Sequence, residues 1–144
     1  MFLGEYQHSL DAKGRIILPS KFRGLLAGGC VLTRGLDNCL AVYPKEEWER
    51  QSTRLQEDAA QSNRQVRDFL RIWYASAIEE EPDKQGRITV PEHLRQYAGL
   101  EREVTVTGRG NFAEIWSRPN WDQRLVEGLP NYADLSEANP DLPF

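Results

Sequence analysis

The chain has 144 residues, with two cysteines, two histidines and 18 basic against 22 acidic side chains, a net charge of −4. It is as long as one ordinary domain. No run approaches the roughly 18 apolar residues of a membrane span, and Met1-Phe2-Leu3-Gly4 lacks the charged and apolar regions of a signal peptide, so a cytoplasmic protein is expected. The few scattered cysteines and histidines give no metal site, and no catalytic set or Gly-rich phosphate loop supports an enzyme, a cofactor or a small-molecule substrate.

In chain order, Phe2 to Tyr6 reads as a first strand leading into Asp11-Ala12-Lys13-Gly14-Arg15. Asp11 can accept hydrogen bonds from backbone N–H groups two or three residues on, which starts a tight turn. Gly14 takes the positive φ that closes it. Arg15-Ile16-Ile17-Leu18 is β-branched and favours strand. Pro19 suits the first position of a helix, with Phe22, Leu25 and Leu26 at the spacing of a buried face and Gly28-Gly29 as the stop. A hairpin follows, Cys30 to Thr33 and Cys39 to Tyr43 around Gly35-Leu36-Asp37-Asn38. Pro44 then opens a helix carrying Trp48. Cys30 and Cys39 lie on facing strands; a disulfide is conceivable, but buried reduced thiols are expected of a cytosolic chain.

Residues 51–62 are polar and finish that helix and a turn. Asn63 to Trp73 places Val66, Phe69, Leu70 and Trp73 at helical spacing, a connecting helix packed on the core. Then the pattern returns. DAKGRIILPSKFR (Asp11 to Arg23) recurs 72 positions later as DKQGRITVPEHLR (Asp83 to Arg95), with six of thirteen residues identical. With one residue of added offset the match continues through Val31/Val104, Gly35/Gly108, Asn38/Asn111 and Trp48/Trp121. Tyr74 to Ile78 aligns with the first strand. Leu94, Tyr97 and Ala98, with Gly99 as the stop, repeat the helix. Glu103 to Thr107 and Phe112 to Trp116 repeat the hairpin, and Ser117 is the N-cap of a helix holding Pro119 and Trp121. The stretch from Glu127, with Pro130, Pro140 and Pro143, is expected to be loosely ordered.

The organisation read from this is a first unit over 1–50, a connecting helical segment over 51–73, a second unit over 74–126 and an acidic tail over 127–144. A duplication this long is no short-period solenoid. The fold class is α+β, two half-size units sharing one core. A surface built by one copy is built twice, which suits a partner that is itself repetitive, and DNA is the commonest such partner.

Net charge opposes that reading only at first sight. The tail holds Glu127, Asp134, Glu137 and Asp141 with no Lys or Arg; without these four acids the body is neutral, with 18 of each sign. Lys13, Arg15, Lys21 and Arg23 stand against Asp11 in the first repeat. Lys84, Arg87 and Arg95 stand against Asp83 and Glu92 in the second. Local field matters more than net charge when the target is a polyanion.

Each residue has a plainer rival reading. Arg15 could pair with Asp11, and Arg87 with Asp83, simply to lock the turn, a pairing that contributes little when exposed. Recurrence favours DNA, since a fixed fork of donors can grip phosphate or read guanine. Asp11, Gly14, Asp83 and Gly86 read as loop formers. Arg23 and Arg95 read as solvated or interface residues, and Trp48, Trp73, Trp116 and Trp121 as core or subunit contacts rather than base-stacking platforms.

The two Asp-x-x-x-Arg motifs, the opening Met1-Phe2-Leu3-Gly4-Glu5-Tyr6, and the ILPSKFR and ITVPEHLR segments together resemble the MraZ family of bacterial transcriptional regulators, over about residues 1–125. The resemblance implies two AbrB-like swapped-hairpin units forming an intramolecular pseudo-dimer. It implies ring-shaped homo-oligomers, nucleoid-associated, that bind direct repeats in double-stranded promoter DNA, typically ahead of the division and cell-wall gene cluster. The family's DNA-contacting arginines fall on Arg15 and Arg87, with Lys13 beside the first. The second motif departs in having Gln85 where the first has Lys13, and Lys84 supplies a charge one position earlier. The alternative is an antitoxin-like protein-interaction module, since AbrB-like folds occur there too.

Overall fold

The structure, a computed structural model, describes residues 1–58 and 63–142. The first unit runs β1 (Glu5–Ser9), β2 (Arg15–Ile17), α1 (Ser20–Leu26), β3 (Cys30–Arg34), β4 (Leu40–Pro44) and α2 (Lys45–Asp58). After α3 (Arg64–Ser76) the second unit repeats the order as β5 (Ile78–Glu80), β6 (Arg87–Thr89), α4 (Glu92–Ala98), β7 (Glu103–Gly108), β8 (Ala113–Ser117) and α5 (Arg118–Gly128). A 3-10 turn (Leu129–Asn131) and α6 (Tyr132–Ala138) end it.

The two units exchange strands. A six-stranded antiparallel sheet has the order β1-β7-β8-β4-β3-β5, so the first strand of each unit pairs with the hairpin of the other. The hairpins meet at β4 and β8. The second strands, β2 and β6, leave this sheet and pair with each other as a two-stranded antiparallel ribbon, with Ile16 opposite Ile88. The fold is therefore α+β, two duplicated units with swapped hairpins around one pseudo-twofold axis.

Side chains alternate across a strand, and here both faces of the sheet find apolar cover. Leu32, Leu40, Val42, Val104, Val106 and Ile115 join Ile16, Ile88, Phe22, Leu26, Leu94 and Ala98 in the main core. The ribbon and α1 and α4 thus lie on that face. Ala41 and Tyr43 point the other way, into an aromatic cluster with Trp48 of α2 and Trp73 of α3. Trp48 and Trp73 stack at 4.1 Å between centroids, and Tyr43 stacks on Phe112 at 4.7 Å. Asn63 caps α3, its Oδ1 accepting from the N–H of Gln65 and Val66. Ser117 caps α5 by accepting from Asn120 N.

Several local expectations need correction. The strands begin later than the sequence suggested. Phe2 makes only an isolated bridge to Gly110, and the chain bends at Gly4 (φ +92°) before β1. Tyr74 to Ser76 remain helical because Trp73 and Tyr74 pack edge-on within the aromatic cluster, while Ser76 Oγ bonds Ile72 O and Thr33 Oγ1. Pro19 and Pro91 sit at the capping position, one residue before their helices. Leu25 is exposed; Phe22 and Leu26 alone form the buried face of α1. Beyond Glu127 the described residues are mostly helical rather than irregular, with Pro130 in the first turn of the 3-10 segment, where its missing N–H costs nothing. No residue of α6 is buried, however. The conceivable disulfide is excluded by register: Cys30 faces Pro44 at one end of the hairpin, and Cys39 meets Gly35 at the other. Both thiols are free and buried. Residues 59–62, read as part of a turn, lie outside the described residues. Among the described residues, no helix is long and apolar enough to cross a membrane.

Candidate nucleic-acid interface

Each Asp-x-x-x-Arg loop is closed by its own aspartate. Asp11 Oδ1 accepts the N–H of Lys13 and of Arg15, both at 2.9 Å, and Oδ2 accepts Arg15 Nε at 2.8 Å. Asp83 does the same for Gln85 N and Arg87 N at 2.9 Å and Arg87 Nε at 2.8 Å. Gly14 and Gly86 take φ of +76° and +77°, the left-handed region in which a Cβ is strained. Asp11, Gly14, Asp83 and Gly86 therefore have the loop-forming geometry that their residue types suggested.

The hydrogen bonds set the charge state. The bond from the Arg15 backbone N–H, joined by those from the Arg15 side chain and Lys13 N, holds the Asp11 carboxyl below the usual aspartate value. The Arg87 backbone and side chain do the same for Asp83.

The plainer reading of Arg15 and Arg87 as partners of the neighbouring aspartates describes a contact that exists. It engages only Nε. Among the described residues neither arginine makes a further hydrogen bond through its Nη atoms, and the side chains keep 27% and 26% exposure. The aspartates orient the guanidinium planes and leave the two-nitrogen end of each fork unoccupied.

The ribbon brings the two forks together. Ile16 and Ile88 point into the core, so their neighbours Arg15, Ile17, Arg87 and Thr89 point outward. Arg15 lies opposite Thr89 and Arg87 opposite Ile17. The arginines are thus diagonal neighbours on one face, their backbone positions about 7–8 Å apart in a paired ribbon. Lys13 and Lys84 are exposed on the flanking loops at non-equivalent positions, since Gln85 occupies the place of Lys13. Ile17 is 44% exposed in the middle of this surface. Sequence reasoning passed over Ile17 and Thr89 as site residues, although the alternation of Arg15-Ile16-Ile17 carried the signal.

The four tryptophans are elsewhere. Trp48 and Trp73 belong to the aromatic cluster beyond the far face of the sheet, and Trp116 packs with Trp121.

The sequence model of the family described as "MraZ protein, putative antitoxin-like" matches residues 1–72 and again 73–138, one match for each half of the swapped structure. The chain belongs to the MraZ family. It is similar over nearly its whole length to proteins of the family named transcriptional regulator MraZ. That of Micrococcus luteus is 49% identical over 142 residues, covering 99% of this chain and 96% of its own. Those of an Arthrobacter species and of Heliobacterium modesticaldum are 46% and 45% identical, each covering 99% of both chains. The paired loops at Asp11–Arg15 and Asp83–Arg87 fall one in each matched half.

Proposed function

We propose that this chain is a DNA-binding transcriptional regulator that lays the β2–β6 ribbon in the major groove. The observation that carries the reading is the pair of guanidinium groups on one outward ribbon face, each held through Nε and, among the described residues, with no hydrogen bond to its terminal nitrogens. The major groove admits a two-stranded ribbon, and an arginine fork matches the O6/N7 edge of guanine or a phosphate. The two arginines leave the ribbon about 7–8 Å apart at the backbone, roughly two base-pair steps of about 3.4 Å each. In this reading Arg15 and Arg87 read bases, Lys13 and Lys84 bind the flanking phosphates, and exposed Ile17 offers apolar contact to a thymine methyl. The full-length similarity to proteins named transcriptional regulators supports it.

Energetics extend the reading to an assembly. Two bidentate contacts supply roughly 2–6 kcal/mol, whereas discrimination against a genome needs roughly 4–10. A homo-oligomer, most simply a ring, engaging successive direct repeats provides the remainder through effective concentration. Exposed Phe69 and Ile72 on α3, and Val126, Leu129, Tyr132 and Leu135 toward the C-terminus, supply apolar surface outside the ribbon for contacts between copies. The expected target is the promoter of the chain's own division and cell-wall cluster.

A footprint on the DNA upstream of the chain's own gene tests this. Protection of regularly spaced repeats, lost in Arg15→Ala while the protein stays folded, is the expected result. Absence of any protected repeat, together with recovery of a toxin-like protein in a pull-down, would replace it with the antitoxin-like alternative.

A further inference from the structure

We infer that Arg23 and Arg95 are positioning residues, each holding the DNA-facing loop of the opposite unit: Arg23 braces Asp83–Arg87, and Arg95 braces Asp11–Arg15. The inference rests on the DNA reading for its functional consequence, but the brace is a feature of the free protein.

The contacts form a closed circuit in each half. Val90, in the second unit, donates its N–H to Gly14 O of the first-unit loop at 2.8 Å and accepts from Arg95 Nη1 through its carbonyl. The Arg95 guanidinium then lies against Gly14, where an added Cβ would collide with Nη1. The mirror circuit joins Leu18 N to Gly86 O at 2.8 Å and Arg23 Nε to Leu18 O at 3.1 Å. A Cβ on Gly86 would meet Arg23 Nε at 2.5 Å. Each loop glycine is therefore fixed from below by a peptide, and from the side by a planar cation, of the other unit. Positive φ favours glycine at these two positions, and the missing Cβ leaves the room that the arginine occupies.

Two further observations separate these arginines from ordinary solvated ones. SKFRGLL of α1 and EHLRQYA of α4 share a single residue in register, the arginine. Neither arginine has a carboxylate within salt-bridge distance among the described residues, so neither is held by a local ion pair. Their fixed partners are a carbonyl and a glycine surface. A guanidinium can donate to the carbonyl from one nitrogen while its remaining atoms pack against the glycine, and the single ammonium of a lysine cannot do both.

The consequence is crossed dependence. Removing Arg23 frees the loop that orients Arg87, not the one that orients Arg15. Hydrogen–deuterium exchange on the free protein tests the brace without DNA. Arg23→Ala should accelerate exchange in Gln85–Arg87 and leave Lys13–Arg15 unchanged, and Arg95→Ala should do the reverse. Binding to the upstream duplex, measured by fluorescence anisotropy against salt, tests the function. Arg23→Ala should weaken specific binding about tenfold, the scale of one lost hydrogen bond from a charged group. That loss should shrink in an Arg87→Ala background, persist in Arg15→Ala, leave the salt slope unchanged, and not be restored by Arg23→Lys. Exchange rising in the loop of the same unit, or in neither loop, would overturn the brace. A salt slope shallower by about one unit, with additivity to Arg87→Ala, would make Arg23 a direct phosphate contact instead. If the wild-type protein binds no DNA, the exchange pattern still decides the brace, and the DNA reading alone fails.

Discussion

Because Arg15 and Arg87 bind Asp11 and Asp83 through Nε alone, their replacement removes one exposed ion pair from the fold and a whole fork of donors from the surface. Arg15→Ala is therefore expected to weaken specific DNA binding strongly while moving the thermal unfolding midpoint little, compared by gel shift and calorimetry. Arg87→Ala should act in the same direction. The aspartates add a pH dependence whose sign follows from their depressed pKa values. Each favours the folded loop above the ordinary aspartate value of 3.8, and that contribution is lost as pH falls through the lower folded value. Carboxyl chemical shifts of Asp11 and Asp83 should titrate below 3.8 in the folded protein; midpoints at or above it would mean the loops are open in solution. Buried Cys30, its thiol pushed up to about 12 by desolvation, should resist a thiol reagent until the protein unfolds.

At the scale of elements, neighbouring residues of one short strand have opposite duties. Ile16 and Ile88 are buried against each other on the pseudo-twofold axis, whereas Ile17 is exposed beside the arginines. Ile16→Ala should cost about 2–5 kcal/mol in denaturant unfolding. Ile17→Ala should change stability by no more than about 0.5 kcal/mol and reduce DNA affinity. Equal stability losses in the two variants would show that the ribbon does not face outward as described. The loops were legible in the sequence because Asp-x-x-Gly-Arg closes through contacts at separations of two to four residues. The ribbon was not, since alternation in Arg15-Ile16-Ile17 marks a strand without naming its partner. The exchange of β1 and β5 was expected from the family resemblance, not from the residues. The helical end of α3 was missed because Trp73 and Tyr74 extend the helix through contacts with Trp48, distant in sequence. The brace was half visible: Arg23/Arg95 was one of the six repeated identities, but only the structure shows that each crosses to the other unit.

For the whole molecule, strand exchange makes the halves inseparable. A fragment of residues 1–58 would leave β1 without β7, β2 without β6, β3 without β5 and β4 without β8. It should give no folded monomer by circular dichroism and sedimentation; a stable folded monomer would contradict the shared core. The intact chain should sediment as an oligomer, and its affinity should drop sharply when promoter repeats are cut to one or shifted by half a helical turn. Monomer alone, or equal affinity for one repeat and several, would count against assembly. The central claim is that Arg15 and Arg87 face DNA from one ribbon. The most direct test is anisotropy on the upstream duplex across a salt series for wild type, Arg15→Ala and Arg87→Ala. The expected result is a steep fall in affinity with salt for the wild type, weaker binding in both variants, and a slope about one unit shallower for each charge removed. Superimposable curves for all three proteins, or a flat wild-type salt dependence, would contradict it.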